Sequence, residues 1–211
     1  MKSNNPPSLG KCAAFAGNVK IATGSLAEVA IKVKKAGERK SAEPLLVFDD
    51  ETAAVVDLDL RGTRKQIIER YSETARCKEP AAIKEDRGRG RPKLGVVGRE
   101  VTLLPRHWDW LSEQPGGPSV TIRKLVEEAR RTSQGKDRIR RAKEGAYRFM
   151  NAMAGNLPGF EEAARVLFGA SENRSRTFES LTTRWPADIR EHALLLLERV
   201  DAAEAADRAG E

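Results

Sequence analysis

The stretch Ser25–Lys40, SLAEVAIKVKKAGERK, decides the fold of the N-terminal part of the chain. Ser25 stands three residues before Glu28, the spacing of a capping box, in which each side chain satisfies a free amide of the first helical turn. Four apolar residues then recur on one helix face: Leu26, Val29, Ala30 and Val33. The pattern predicts an amphipathic helix that begins after Ser25, and Gly37 is its predicted stop.

Strand patterns lie on both sides of this helix. Residues 11–24 predict a β-hairpin, because CAAFA and VKIATG flank Gly17-Asn18, a pair able to adopt the positive φ of a two-residue turn. The string PLLVFDDETAAVVDLDL predicts a second hairpin that turns near Asp50-Glu51, and TRKQIIERY predicts a short helix. The result is a small ββαββα domain of the α+β class over residues 1–73.

Positive charge is concentrated after this domain. Residues 74–93 are polar, charged and interrupted by Pro and Gly, so they are predicted to be a basic linker. Residues 84–148 carry 17 basic and 9 acidic side chains, in a chain whose formal net charge is +7. A concentrated positive field favours a polyanionic partner, because Lys and Arg release counterions when they neutralise phosphates. A basic surface that is merely solvated is the alternative.

Residues 94–132 predict a strand followed by two helices. The string LGVVGREVTLL carries the β signal, with the strand over Arg99–Leu104, and Pro105 is well placed to open the first helix. PGGP ends that helix, and SVTIRKLVEEARR is an amphipathic second helix. An intrachain hairpin around Gly98-Arg99 is the alternative for the β part. Residues 133–211 predict further helices separated by Gly, Pro and Ser/Asn breaks.

The linker contains RGRGRPK, residues 87–93, which resembles an AT-hook, a peptide with a Gly-Arg-Pro core. The narrow minor groove of A-tracts is strongly negative and attracts guanidinium groups, and glycine lets the backbone approach the groove floor. By this resemblance Arg89 and Arg91 would lie in the groove, while Arg87 and Lys93 would contact phosphates. A flexible basic linker is the alternative, and the two acidic residues before the segment oppose phosphate binding.

The predicted strand–helix–helix unit resembles the ribbon-helix-helix repressors. In that class the strands of two chains form one ribbon that enters the major groove, so the resemblance implies a homodimer on double-stranded DNA. Arg99, Val101 and Leu103 would then face the bases, although the last two suit only apolar contacts. Ser119 and Thr121 would lie at the helix end that binds a phosphate. The other cations would neutralise the DNA backbone: Arg106, Arg123, Lys124, Arg130 and Arg131. A packing module with a basic rim is the alternative.

The sequence does not predict a catalytic, metal or cofactor site. Its cysteines and histidines are too few and too scattered for a disulfide framework or a zinc site: Cys12, Cys77, His107 and His192. Asp57 and Asp59 alternate with apolar residues, which indicates a solvated strand face. Four residues are expected in the core: Cys12, Trp108, Trp110 and Trp185. Stacking of Trp110 on a base or a partner is the alternative for that residue. We therefore expect no enzyme and no small-molecule substrate.

The whole chain resembles a bacterial family known only as domain-of-unknown-function family 2239, over residues 12–199. The strings that carry the resemblance are LLVFDD, VDLDLRGT, GRGRPKLGVVGREVTLLPRHWDWLSEQPGG, AYRFMNAMAG, LPGFEEAARVLF and WPADIREHAL. The resemblance implies the domain layout and no activity. There is no signal-peptide pattern and no apolar run of about 18 residues, so we expect a cytoplasmic location and no membrane contact. The function predicted is that of a DNA-binding regulator or nucleoid-associated protein; the alternative is a protein–protein adaptor with a basic tether.

Overall fold

The computed structural model of the chain describes residues 10–38, 43–76, 97, 99–169 and 173–209. Within those residues it has three strands and seven helices, which confirms the α+β class. The elements are β1 Lys11–Ala16, β2 Val19–Ser25, α1 Leu26–Glu38, β3 Leu45–Asp49, α2 Arg64–Arg76, α3 Pro105–Glu113, α4 Gly117–Ala154, α5 Phe160–Phe168, α6 Arg174–Leu181 and α7 Ala187–Arg208.

The described residues fall into two compact units. Met1–Pro80 and Gly135–Glu211 form the first, which we call the sheet unit, and Ala81–Gln134 form the second, which we call the central unit. The predicted N-terminal region, 1–73, and all but the first two residues of the predicted C-terminal region, 133–211, therefore belong to the same unit.

The sheet has three antiparallel strands in the order β2-β1-β3. The predicted first hairpin is confirmed, and Gly17 takes the positive φ of 53° that its turn requires. The central strand, β1, is buried on both faces: Cys12 and Ala14 join one core cluster, whereas Ala13 and Phe15 join the other. This alternation follows from the two-residue period of a strand.

The predicted capping box begins α1. The amide of Ser25 donates to Oε2 of Glu28 at 2.9 Å, and the amide of Glu28 donates back to Oγ of Ser25 at 3.4 Å. The bonds from the Ser25 amide and hydroxyl lower the pKa of the Glu28 carboxyl. The apolar face predicted for the helix is buried at all four positions, and α1 covers one face of the sheet together with α2.

The other face of the sheet packs against the C-terminal helices. Phe149 of α4 lies 5.5 Å from Phe15 and 5.1 Å from Phe48, measured between ring centroids. Buried residues of α5, α6 and α7 continue the same cluster. Trp185 belongs to it, as predicted, and its Nε1 donates to the Pro158 carbonyl at 2.9 Å. The sheet is thus the middle layer of three.

The predicted second hairpin keeps only its first strand, so the order over 1–73 is ββαβα instead of ββαββα. The turn falls where the sequence places it, and Ala53 has a φ of 48° there. Beyond it, Val55 makes a single isolated bridge to Phe48. Side chains then replace a strand partner: Arg70 donates to the carbonyl of Asp59 at 2.6 Å, and the Asp59 amide donates to Oη of Tyr71 at 2.6 Å.

Two predictions for the middle of the chain are wrong in the described structure. Arg99–Leu104 form no strand with any described residue, although the backbone at Leu104 is extended, with φ −69° and ψ 150°. A strand needs a partner for its backbone groups, and in the class it resembles that partner is a second chain. The break predicted after Arg131 is absent as well, because α4 continues through Gly135 to Ala154. An interior glycine costs a helix only about 1 kcal/mol.

Candidate nucleic-acid interface and a basic pocket

Four of the predicted DNA-contacting residues lie outside the described residues: Arg87, Arg89, Arg91 and Lys93. The AT-hook-like segment therefore remains a prediction from the sequence. The other eight predicted residues lie in the central unit: Arg99, Arg106, Ser119, Thr121, Arg123, Lys124, Arg130 and Arg131.

Helix α4 brings four of these cations onto one exposed side. Arg123 and Arg130 are seven residues apart, as are Lys124 and Arg131, and all four side chains are exposed. Seven residues are almost two helical turns, so each pair points in nearly the same direction. Arg106, in the first turn of α3, is also exposed. Helix α4 thus presents cations at a regular spacing, as contact with the phosphate backbone of a nucleic acid would require.

Few carboxylates neutralise these cations. Arg130 pairs with Glu127 at 3.6 Å, and Nε of Arg123 donates to the Ser119 carbonyl at 3.0 Å. Within the part of the chain that the structure describes, five of the predicted cations form no ion pair: Arg99, Arg106, Arg123, Lys124 and Arg131. Their charge is available to a partner.

The start of α4 differs from its predicted position. The helix begins at Gly117, two residues earlier than Ser119, and the Gly117 amide already donates to the Gln114 carbonyl at 3.0 Å. Ser119 is exposed and Thr121 is half-buried. Both lie in the first turns of the helix, where the partial positive charge of the helix dipole favours an anion.

The central unit exposes most of its large apolar side chains. Among its described residues, Leu111 is the one that is buried. Trp108 is 40% exposed and Trp110 49% exposed, so the prediction that they are core residues is wrong for the single chain. Others exposed in this unit are Val97, Val101, Leu104, Leu125 and Val126. A folded unit that leaves so much apolar surface in water indicates an interaction site.

The sheet unit also contains a basic pocket that was not predicted from the sequence. It is a cavity of about 680 Å³ beside the turn at residues 50–52, with walls from α4 and α7. Five cations line it: Lys11, Arg138, Arg141, Arg148 and Arg199. The spacing of Arg138, Arg141 and Arg148, at three and seven residues, is a one-face helical pattern that could have indicated the α4 wall.

The turn at the pocket is held in place from both sides. Oδ1 of Asp49 accepts the amides of Glu51 at 3.2 Å and Thr52 at 2.8 Å. Nη2 of Arg199 lies 3.1 Å from Oδ2 of Asp50, and its Nη1 donates to the Asp50 carbonyl. Arg148 donates to the carbonyl of Thr52. Arg148 and Arg199, two of the five cations that line the pocket, are thus held by hydrogen bonds to backbone carbonyl groups.

The pocket floor consists of small and apolar residues from the two helices: Ala142, Gly145, Leu196 and Ala203. A Cβ atom at Gly145 would lie 3.3 Å from the carbonyl oxygen of Thr52. A residue larger than glycine would therefore fit here only if the backbone at Thr52 moved slightly. Because the side chains of the floor are small and those of the walls are long and charged, a cavity is left between the walls.

Asp57 and Asp59 lie in a segment in which polar and apolar residues alternate. Val56, Leu58 and Leu60 pack inward while Asp57 is exposed, as predicted from their alternation. Arg61 holds Asp59 through a side-chain hydrogen bond at 2.9 Å, and this contact lowers the pKa of the Asp59 carboxyl to about 2.

Cys12 is buried, as predicted, and burial raises the pKa of its thiol to about 11.

The family model described as "Uncharacterized protein conserved in bacteria (DUF2239)" matches residues 11–197. The chain belongs to this family. The DUF2239 match spans most of the sheet unit and the whole of the central unit, so the predicted DNA-contacting residues lie inside the family's boundaries. Most of the pocket lining lies there too, whereas four lining residues are outside the match: Gly10, Arg199, Ala202 and Ala203. No curated protein and no solved structure matches the chain. Among the described helices of this DUF2239 protein, none is long and apolar enough to cross a bilayer.

Proposed function

We propose that this DUF2239 protein is a DNA-binding regulator or nucleoid-associated protein, and that it acts as a homodimer without catalysing a reaction. The observation that carries the proposal is the exposed, largely unpaired positive charge of the central unit, on Arg106 and along α4 from Arg123 to Arg131. Such charge binds a phosphate backbone, because each neutralised phosphate releases condensed counterions.

The apolar surface of the central unit supports the dimer. Its two tryptophans and the Leu125-Val126 pair are exposed in one chain, and Leu111 is its one buried large apolar residue among those described. A second copy would cover this surface and give Arg99–Leu104 the strand partner that the single chain lacks. Two copies would also double the number of cations that contact one duplex, as in the ribbon-helix-helix class.

The segment at residues 87–93 completes the proposal. It precedes α3 in sequence and supplies three arginines and a lysine. In the proposed complex Arg89 and Arg91 lie in the minor groove of A·T-rich DNA, while α4 and α3 contact phosphates. Replacement of both arginines by alanine should reduce the preference for A·T-rich duplex and leave the binding of other duplexes less affected.

The proposal is tested by removing the free cations. The triple variant Arg106→Ala, Lys124→Ala, Arg131→Ala should bind duplex DNA more weakly. The slope of log K against log salt should become less negative by about 2.7 for each chain, because each chain loses three phosphate contacts. The matched control is Arg64→Ala, Lys65→Ala, Arg176→Ala, which removes the same charge from exposed positions of the sheet unit. Equal losses in both variants would show that only net charge matters and would contradict the proposal.

A protein–protein adaptor is the second candidate, and the exposure of Trp108 and Trp110 favours it. Aromatic side chains are enriched at protein interfaces. A pull-down with and without nuclease separates the candidates: partners that are lost with the nucleic acid support DNA binding, whereas partners that persist support the adaptor.

A further inference from the structure

We infer that the basic pocket of the sheet unit binds a phosphorylated small molecule of the nucleotide class. The inference is independent of DNA binding by the central unit, because the pocket is built from residues of the sheet unit alone.

The charge of the pocket favours an anion. Asp50, Glu51 and Glu144 are the acidic residues of its wall, against five cations. Two of these carboxylates are already engaged: Asp50 by Arg199 at 3.1 Å, and Glu144 by Arg140, which lies outside the lining, at 3.2 Å.

Two arginines of the wall remain available. Among the described residues, Arg138 and Arg141 have no ion-pair partner, and both side chains are exposed at the cavity. A guanidinium group presents its N–H groups as a planar fork that binds phosphate through two hydrogen bonds. A pair of such forks one helical turn apart suits a diphosphate or a triphosphate better than a single phosphate.

The rest of the pocket is rigid enough to be a binding site. Arg148 and Arg199 are fixed by the carbonyl groups of the turn, and the buried Asp49, which is 1% exposed, fixes the turn itself. These groups belong to two helices and to a turn that extends a strand of the sheet. Positioning on rigid elements reduces the ordering cost of ligand binding.

The size and floor of the pocket favour an organic phosphate. Its volume of about 680 Å³ exceeds what an inorganic phosphate fills and lies in the range of small-molecule sites, which is about 300–1,000 Å³. Ala142, Gly145 and Ala203 form a floor of small side chains with the apolar Leu196. A flat base or ring can lie on such a floor while its phosphates reach the arginines. A duplex is too wide to enter a cavity of this size.

Isothermal titration calorimetry at low salt tests the inference with ATP, ADP, pyrophosphate and adenosine. We expect ATP and ADP to bind, pyrophosphate to bind more weakly because it leaves the floor uncovered, and adenosine to give no measurable binding. The double variant Arg138→Ala, Arg141→Ala should weaken ATP binding at least about tenfold, since charge-assisted bonds are lost. A separate variant, Ala202→Phe, should weaken it similarly by filling the cavity at an exposed lining position while every charge remains.

The DNA-binding variant with Arg106, Lys124 and Arg131 replaced is the control, and it should bind ATP as the wild type does. The inference is overturned if no phosphorylated probe binds the wild type, or if ATP binding survives both pocket variants in folded protein. It is also overturned if the pocket variants weaken duplex binding and leave ATP binding unchanged, because the arginines would then serve nucleic acid. Failure of the central-unit cations to bind DNA would leave the calorimetric result intact.

Discussion

His192 is a buried imidazole in the core of the sheet unit. It lies 4.5 Å from Phe149 and 5.4 Å from Phe15, measured between ring centroids, and it is 4% exposed. Its Nε2 has no hydrogen-bond partner in the described structure. Burial lowers the pKa of the imidazole to about 4 and outweighs the opposing effect of Asp50. The side chain is therefore neutral near pH 7 and behaves as a core aromatic residue.

This burial predicts a loss of stability in mild acid. The imidazole has an ordinary pKa of 6.5 and a folded pKa of about 4, so the unfolded state binds more protons between these values. Neutral His192 therefore contributes fully to the free energy of unfolding above pH 6.5, and this contribution is lost as the pH falls toward 4. The loss is on the order of 3 kcal/mol in total. Urea midpoints measured between pH 7.5 and 5 should fall, and His192→Leu should flatten this dependence.

His107 provides the matched control, because it is the other histidine of the chain and is exposed. His107→Gln should keep the pH dependence of the wild type. If His192→Leu and wild type lose stability in parallel between pH 7.5 and 5, the acid sensitivity has another source.

At the scale of elements, the buried Arg174 joins α6 to α7. Its Nη1 lies 2.6 Å from Oδ1 of Asp201 and 3.0 Å from Oε2 of Glu204, and its Nη2 donates to the Gly169 carbonyl at 2.7 Å. Lys143 of α4 reaches the same Glu204 at 2.8 Å. One guanidinium group thus connects two helices and the loop before them.

Arg174→Met should destabilise the sheet unit by about 3 kcal/mol, because both carboxylates lose their buried partner. Arg174→Lys should recover little of this loss, since an ammonium group cannot reproduce the planar fork. Arg176→Met changes an exposed arginine two residues away and should alter the free energy of unfolding by less than about 0.5 kcal/mol. Thermal and urea denaturation give these values, and similar values for both methionine variants would contradict the role given to Arg174.

The elements that the sequence predicts correctly are those whose determinants are local. The capping box at Ser25 and the Gly17-Asn18 turn act within a few residues, so α1 and the first hairpin follow from the pattern. The strand at 99–104 and the second arm of the hairpin after Asp50 depend on partners far away or on another chain. In the arm after Asp50 the apolar alternation survives while the strand does not, because side chains of α1 and α2 hold that backbone instead.

The candidate site was predictable only in part for the same reason. Charge and helical spacing identify the cations of the central unit, whose exposure the structure bears out for Arg106, Arg123, Lys124, Arg130 and Arg131. The pocket needs Lys11 and the turn at 50–52 beside α4 and α7, which are distant in sequence. Nothing in a linear pattern brings these elements together.

At the scale of the whole molecule, the exposed apolar surface of the central unit predicts a dimer. Light scattering coupled to gel filtration should give roughly twice the chain mass of 23.3 kDa. Leu125→Lys with Val126→Lys should shift the protein to a monomer, because each buried charge would oppose association. The control is Val19→Lys with Val55→Lys, which alters exposed valines of the sheet unit and should leave the dimer unchanged. A wild-type monomer at every concentration would contradict the dimer.

The most direct test of nucleic-acid binding is the salt dependence of duplex affinity, measured by fluorescence anisotropy between about 50 and 200 mM salt. Six described cations of the central unit can contact phosphates: Arg99, Arg106, Arg123, Lys124, Arg130 and Arg131. They predict a slope of log K against log salt near −5 for each chain, with A·T-rich duplex bound more tightly than random duplex. Absence of binding to any duplex at the lowest salt, or a slope near zero, would contradict the central claim.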